Sequence, residues 1–404
     1  MMTNYLNRSE TSKPLVDAVS RRFAEIWGIP PTIAAVAPGR VNVIGEHVDY
    51  NGGWVLPAAI ERHMVLAVRP REDGRIRLAA AANGERAIEF RMDELAADGG
   101  RNWERYVKGV LAGLARQGIT VPGFDAYLDS TIPVGGGLSS SAALEAVSGL
   151  AALALCGGEM DRFALAKLCQ QAEHEYAGVP CGIMDQAAVL ICQKDHLLLL
   201  DCEEETTTQV RFDAPDWELM IINSRVAHEL ASGEYGQRRA ACHAAAEILG
   251  VSSLRHVALE TLSDTLARPG LSEEMRRCVR HVVTENNRTH RTVSALGRGD
   301  VITAGRLLNA SHDSLRDDYQ VSCEELDFIA ATAQKLPGVA GCRMTGGGFG
   351  GSAIALVRVD DAERVTSTLS QAYAEAFGRQ PGIFLTSPEA GAEAFMLDGT
   401  PKHS

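Results

Sequence analysis

The succession of apolar and polar positions divides the chain into helices and strands in no simple order. Leu15, Val16, Val19, Phe23 and Ile26 recur at helical spacing, and Gly28 with Pro30 and Pro31 ends the pattern, which predicts a helix over 15–27. A short apolar run predicts a strand over 33–37. Residues 55–68 alternate poorly but are rich in strand formers. Segments 75–78 and 87–90 predict strands of a hairpin or meander. Helical spacing returns over 103–114 and a strand pattern over 124–128. A strongly apolar helix is expected over 139–156, ended by Gly157 and Gly158, and a second over 162–178. A short buried strand is expected over 197–200.

The texture changes at 202–215, a polar stretch with Glu and Thr runs, so a domain boundary is placed there, giving domains 1–210 and 211–404. Beyond it the pattern predicts a strand over 219–223 and a long helix over 232–249, closed by Gly250. Further helices follow near 272–296, 300–310 and 323–335. After a glycine-rich turn come a strand over 352–359 and a helix near 361–377. This is an α+β pattern, without the repeating βαβ units of a parallel dinucleotide-binding sheet.

Composition narrows the function. A chain of 404 residues, 46% apolar and 23% charged, is globular, with room for two or three domains. Its 39 basic and 52 acidic residues leave a net charge of −13. Phosphate backbones and anionic membranes repel such a chain, so neither nucleic acid nor membrane is an expected partner. An anionic small molecule would need a locally positive site. Nine cysteines without a CxxC pair suit neither a disulfide framework nor structural zinc, and point to reduced thiols and a cytoplasmic location. The first residues lack the apolar core of a secretory signal. The most apolar stretch, 142–156, is short for a bilayer and contains Glu145.

Four motifs carry candidate chemistry. In PVGGGLSSSAALE, from Pro133 to Glu145, Gly135, Gly136 and Gly137 allow a tight turn and close approach to a ligand. Leu138, Ser139, Ser140 and Ser141 then open a helix, whose free N–H groups and dipole favour an anion. A capped glycine turn alone would be unremarkable. Three successive serines before an apolar helix favour a polyphosphate cradle. In PGRVNVIGEHVDYNGG, from Pro38 to Gly53, Arg40, Glu46, His47 and Asp49 crowd between glycines. Such crowded carboxylates need donors, and a polyhydroxylated ligand offers many; a solvated turn is the bland alternative. In the segment from Glu173 to Gln186, Glu173 lies on a helix where one carboxylate plus phosphates would hold a hydrated Mg²⁺. Asp185 stands among Ile183, Met184 and Ala187, where a carboxylate needs a partner. Finally, MTGGGFGGS, from Met344 to Ser352, holds five glycines in six positions, as a structural turn or a ligand loop. There is no Gly-Lys pair and hence no GxxxxGK[ST] loop, no HRD or DFG, and no GxGxxG between a strand and a helix.

Three of these blocks, PGRVNVIGEHVDYNGG, PVGGGLSSSAALE and MTGGGFGGS, resemble the three motifs of the GHMP small-molecule kinases. GEHVDY, NWERYVKGV, CGIMDQ, SGEYGQRR and LRDDYQVSCEELD resemble the branch that phosphorylates galactose. The match runs from about residue 34 to 357. The resemblance implies a two-domain fold of mixed sheets and helices with the active site in the cleft between the domains. It implies transfer from ATP, with Mg²⁺, to the anomeric hydroxyl of galactose. By the same resemblance, Gly135, Gly136, Gly137, Leu138, Ser139, Ser140 and Ser141 hold the nucleotide phosphates, and Ser141 and Glu173 hold Mg²⁺. Asp185 is the base or orienting carboxylate and Arg40 stabilises the transferred group. Glu46, His47, Val48, Asp49, Gly182 and Tyr235 meet the sugar, and 346–351 support the phosphate loop. The chain is expected to act as a monomer. Two positions depart from the family pattern: Val48 stands where threonine is usual, and Ser352 where cysteine is common. The first leaves N-acetylgalactosamine or arabinose as alternative sugars. A non-catalytic sensor of sugar and ATP is a third possibility, against which the intact GLSSSA loop and Asp185 weigh.

Overall fold

The computed structural model describes residues 11–96, 103–227 and 231–397. The first ten residues, with most of the stretch read for a leader, lie outside them. Helix α1 (Lys13–Trp27) ends at Gly28 in the left-handed conformation, where its N–H closes the last turn on Ala24. Then follow β1 (Ile33–Asn42), β2 (Trp54–Val55), β3 (Pro57–Arg71), β4 (Arg75–Ala80), β5 (Ile88–Arg91), α2 (Glu104–Arg116) and β6 (Gly123–Ser130). Next come α3 (Ser140–Cys156), α4 (Arg162–Ala172), α5 (Met184–Ile191), β7 (His196–Asp201), β8 (Thr206–Arg211) and β9 (Trp217–Ala227). The remainder is α6 (Ala231–Leu249), α7 (Leu262–Leu266), α8 (Glu273–Leu296), α9 (Val301–Ser314), α10 (Glu324–Ala333), β10 (Val339–Thr345), β11 (Gly350–Arg358), α11 (Ala362–Phe377), β12 (Gly382–Thr386) and β13 (Glu393–Met396).

The strands form three sheets: β13-β1-β3-β6-β4-β5, β10-β11-β9-β12 and β2-β7-β8. In the first, only β4 and β6 run parallel; the second is antiparallel throughout. The architecture is the α+β one the pattern predicts. The first sheet is covered on both faces. Val16, Val19 and Phe23 of α1 pack on Ala34, Val36, Val65 and Ala67, while α3 and α5 pack on the other face. A strand buried on both faces has no polar side to alternate, which is why 55–68 alternates poorly. Helix α3 lies inside this layer with every residue from Ala142 to Leu153 buried, so it is apolar all round rather than amphipathic.

Two differences from the sequence reading bear on the site. The strand expected over 33–37 continues to Asn42, so Arg40 sits on a fully buried strand and not in a loop. The register shifts between Pro38 and Gly39, where a side chain on Gly39 would meet the Leu138 carbonyl at 2.9 Å. The polar stretch at 202–215 contains β8, the outer strand of the third sheet, whose exposed threonines follow from its edge position. Strand β13 returns from the far end of the chain to pair with β1, with Ile33 opposite Met396. Among the described residues no helix is long and apolar enough to cross a membrane.

Candidate active site

The first motif leaves β1 and turns back into β2, bringing its polar residues to the wall of a cavity of about 190 Å³. Arg40, Glu46, His47, Asp49, Glu173, Gly182, Asp185 and Tyr235 line it, together with Gly346 and Gly347 of the last motif. Seven of the eight residues expected to act on the sugar or the reacting group therefore converge. Val48 does not: its side chain is fully buried and packs against the backbone of Gly53, outside the cavity.

Arg40 and Asp185 are the centre. Arg40 donates from Nε to Asp185 Oδ1 at 2.8 Å and from Nη2 to Oδ2 at 2.6 Å, and its Nη1 donates to the Gly137 carbonyl at 2.6 Å. This two-pronged pairing fixes the plane of the carboxylate, and the third bond ties the pair to the glycine loop. Ser139 also donates to Asp185 Oδ2. Ser139 was expected among the residues that cap the helix and line the phosphate cradle. It precedes α3 with φ 58°, but its side chain makes no cap bond and turns to Asp185 instead.

Asp49 and Gly182 fit each other. A methyl group on Gly182 would fall 1.7 Å from Asp49 Oδ2, so only glycine lets that carboxyl lie against the chain there. Burial holds the Asp49 carboxyl up at about 7, and the charge of Asp185 adds to the rise. Glu173 is likewise raised to about 7 by burial and by Asp185, against hydrogen bonds from Ser141, Cys181 and Gln186. Burial, then the charge of His281, lowers His47 to about 3, so its ring is neutral.

Helix α8 supplies groups that the sequence reading missed. Glu285 accepts from the N–H groups of Gly45 and Glu46 at 3.0 and 3.3 Å, and from Ser311 Oγ at 2.7 Å. Burial pushes its carboxyl up, but Arg288, His281 and Arg343 outweigh that and hold it at about 2. His281 Nε2 lies 3.0 Å from the Glu46 carbonyl. Arg343, wholly buried, pairs with the Glu46 carboxylate and donates to the carbonyls of Asn42 and Val43, each at 2.9 Å. Glu46 Oε1 accepts from the Gly346 N–H at 3.1 Å. His281 and Glu285, four residues apart within the apolar stripe of α8, are the one sequence signal that would have found them.

The glycine loop between β6 and α3 is braced by the last motif. Ser352 donates to the Gly136 carbonyl at 2.6 Å, and a side chain at Gly346 would meet the Gly137 carbonyl at 3.0 Å. Gly135 and Gly137 take φ of 71° and 69°, as a turn of glycines allows. Beside the loop, a second cavity of about 340 Å³ is lined by Trp103, Tyr106, Leu128 and Leu144 and opens on Ser140 and Ser141. Its aromatic residues were not singled out from the sequence, because Trp103 and Tyr106 also satisfy an ordinary helical pattern.

Ser141 stands close enough to Glu173 to lower its carboxyl, so the two side chains neighbour each other as two ligands of one small ion would. Among the described residues no group of three or more His, Cys, Asp or Glu side chains could hold a metal. One carboxyl and one hydroxyl are a donor set for an ion that takes most of its oxygens from phosphate and water, as Mg²⁺ does.

Family models and known proteins match most of the chain. The GHMP kinase N-terminal domain model matches residues 105–193, the GHMP kinase C-terminal model 292–375, and the galactokinase galactose-binding signature 21–70. The chain is 45% identical over 380 residues to a galactokinase of Streptomyces coelicolor, covering 94% of this chain and 98% of that protein. It is 42% identical over 398 residues to the human galactokinase, covering 97% and 99%. The crystal structure of Lactococcus lactis galactokinase complexed with galactose superposes with a TM-score of 0.90 at 35% identity, covering 94% of this chain and 99% of that one.

Proposed function

Because the chain belongs to the GHMP kinase family, within its galactokinases, we propose that it transfers the γ-phosphoryl group of ATP to the anomeric hydroxyl of galactose, giving galactose 1-phosphate. The observation that carries this reading is the position of the Arg40–Asp185 pair. It lines the cavity shared by the first and last motifs and is bonded through Arg40 to the Gly137 carbonyl of the glycine loop, which supports one ion pair serving both reactants.

The residues divide the work of phosphoryl transfer, which is mostly positioning and charge stabilisation. The N–H groups at the start of α3 and the turn at 135–137 hold the phosphates, and the aromatic cavity beside them takes the base. Arg40 faces the transferred group with its guanidinium while keeping Asp185 in place. Asp185 accepts a hydrogen bond from the sugar hydroxyl, aims its oxygen at the phosphoryl group and takes the proton as the bond forms. Asp49 and Tyr235 bind other sugar hydroxyls. Ser141 and Glu173 would hold Mg²⁺, which supplies charge neutralisation across the phosphate oxygens. Because Val48 does not border the cavity, its departure from the family pattern gives no reason to prefer another sugar. Incubation with ATP, Mg²⁺ and a panel of monosaccharides, followed by ADP release, tests the reading. Galactose should be the best substrate, and a flat response across the panel would refute it.

A further inference from the structure

Behind the wall of the sugar cavity, four side chains form one hydrogen-bonded file. His47 Nε2 lies 3.2 Å from the Gly347 carbonyl, and His47 Nδ1 lies 2.9 Å from Tyr50 Oη. Tyr50 Oη lies 2.8 Å from Tyr319 Oη, which lies 3.2 Å from Cys242 Sγ. The file crosses four parts of the chain: the first motif, the turn after α9, helix α6 and the last glycine motif.

The direction of every bond is fixed from one end. A carbonyl can only accept, so His47 Nε2 carries a proton. In a neutral ring Nδ1 then has a lone pair and accepts. Tyr50 must therefore donate its single O–H to His47, and its oxygen is left to accept from Tyr319. Tyr319 in turn accepts from the Cys242 thiol. Reversing any one link would leave two protons or two lone pairs facing each other in a buried file. Tyr319 and Cys242 are buried, as is His47.

We propose that Tyr50, backed by Tyr319 and Cys242, is a positioning residue that occupies Nδ1 of the His47 ring, whose Nε2 proton the Gly347 carbonyl holds, so that His47 pins Gly347 against the sugar cavity and does not itself bond the sugar through a ring nitrogen. Both His47 nitrogens are already committed, so the ring offers the ligand only its carbon edge. The file sets sugar affinity by holding together two motifs that both line the cavity. That consequence rests on the sugar-kinase reading above; the state of the His47 ring does not.

The test uses the full chain labelled with ¹⁵N-histidine, with the His47 signals assigned by their loss in His47→Gln. In the wild type, His47 should show a protonated Nε2 and an unprotonated Nδ1, unchanged from pH 8 to pH 5. Tyr50→Phe leaves the Gly347 carbonyl to hold the proton on Nε2 but strands the Nδ1 lone pair, so the ring should stay Nε2-protonated with a shifted Nδ1 signal, and the KM for galactose should rise by about 5–30-fold, the effect of a lost bond to a buried acceptor. Its kcat and its KM for ATP should stay within about twofold, a split that general loosening of the fold would not give. Tyr319→Phe leaves the Tyr50 donor in place, so the ring form should persist and the KM should rise by less than about threefold. A wild-type ring protonated at Nδ1, or one that titrates in this range, overturns the proposal whether or not any variant folds. So does a Tyr50→Phe protein with unchanged ring signals and unchanged KM. If no sugar is turned over at all, the kinase reading fails while the ring spectrum still decides this one.

Discussion

Arg40 meets Asp185 edge to edge, Nε to Oδ1 and Nη2 to Oδ2, with Nη1 left over for the Gly137 carbonyl. A single guanidinium thus sets the distance between the Asp185 carboxylate and the glycine loop, which in the proposed reaction receive the sugar and the phosphates. Asp185→Ala should lower kcat by about 10²–10⁴-fold, the usual cost of losing a positioned base, with the KM for ATP nearly unchanged. Arg40→Lys keeps the charge but cannot span both oxygens and the carbonyl, and should cost at least about tenfold in kcat. Steady-state kinetics of both variants check this; full turnover in either would remove the pair from the chemistry.

The contact between Gly182 and Asp49 makes a sharper steric prediction. Gly182→Ala places a methyl where Asp49 Oδ2 now lies and must displace that carboxyl. The KM for galactose should rise by at least about tenfold, since displacements near 1 Å at a reacting site cost on that order or more. Binding of a non-hydrolysable ATP analogue, measured by calorimetry, should not change.

Ser352 carries more weight than its family pattern suggests. Ser352→Ala strands the buried Gly136 carbonyl, at a cost of about 1–3 kcal/mol. Thermal melting should fall by several degrees, and the KM for ATP should rise because the loop is less well held. Ser352→Cys, with a weaker donor, should fall between the two. A melting curve superimposable on wild type for Ser352→Ala would show that the hydroxyl does not brace the loop.

The Asp49 carboxyl titrates near 7 in the folded chain and near 3.8 in the unfolded one. The folded state therefore binds the proton more tightly, and this contribution to stability is full below pH 3.8 and is lost as pH rises through about 7. Asp49→Asn removes it. The melting temperature of the variant, taken relative to wild type, should rise between pH 4 and pH 7.5. A constant difference across that range would contradict the shift.

Much of this was legible in the sequence for a physical reason. Helices such as α1 and α8 have one buried stripe, and glycine stops such as Gly28 are local in effect, so the pattern records them directly. The cavity residues were legible because glycines and charged groups crowd into short blocks. What escaped is long-range or lacks contrast. Strands β12 and β13 have five and four residues, and the latter is defined by pairing across the chain with β1. Arg343 reads as a lone charge until it meets Glu46, 297 positions away. Tyr319 takes its place only once Tyr50 is folded against it. Val48 was misplaced because it stands inside a block whose other members do face the cavity.

The most direct test of the central claim is the identity of the product. The chain is incubated with ATP, Mg²⁺ and galactose and followed by phosphorus NMR. The account predicts a new phosphate monoester coupled to the anomeric proton, growing in step with ADP and absent with Asp185→Ala. Phosphate on any other carbon, or ADP formed with only inorganic phosphate beside it, would contradict it.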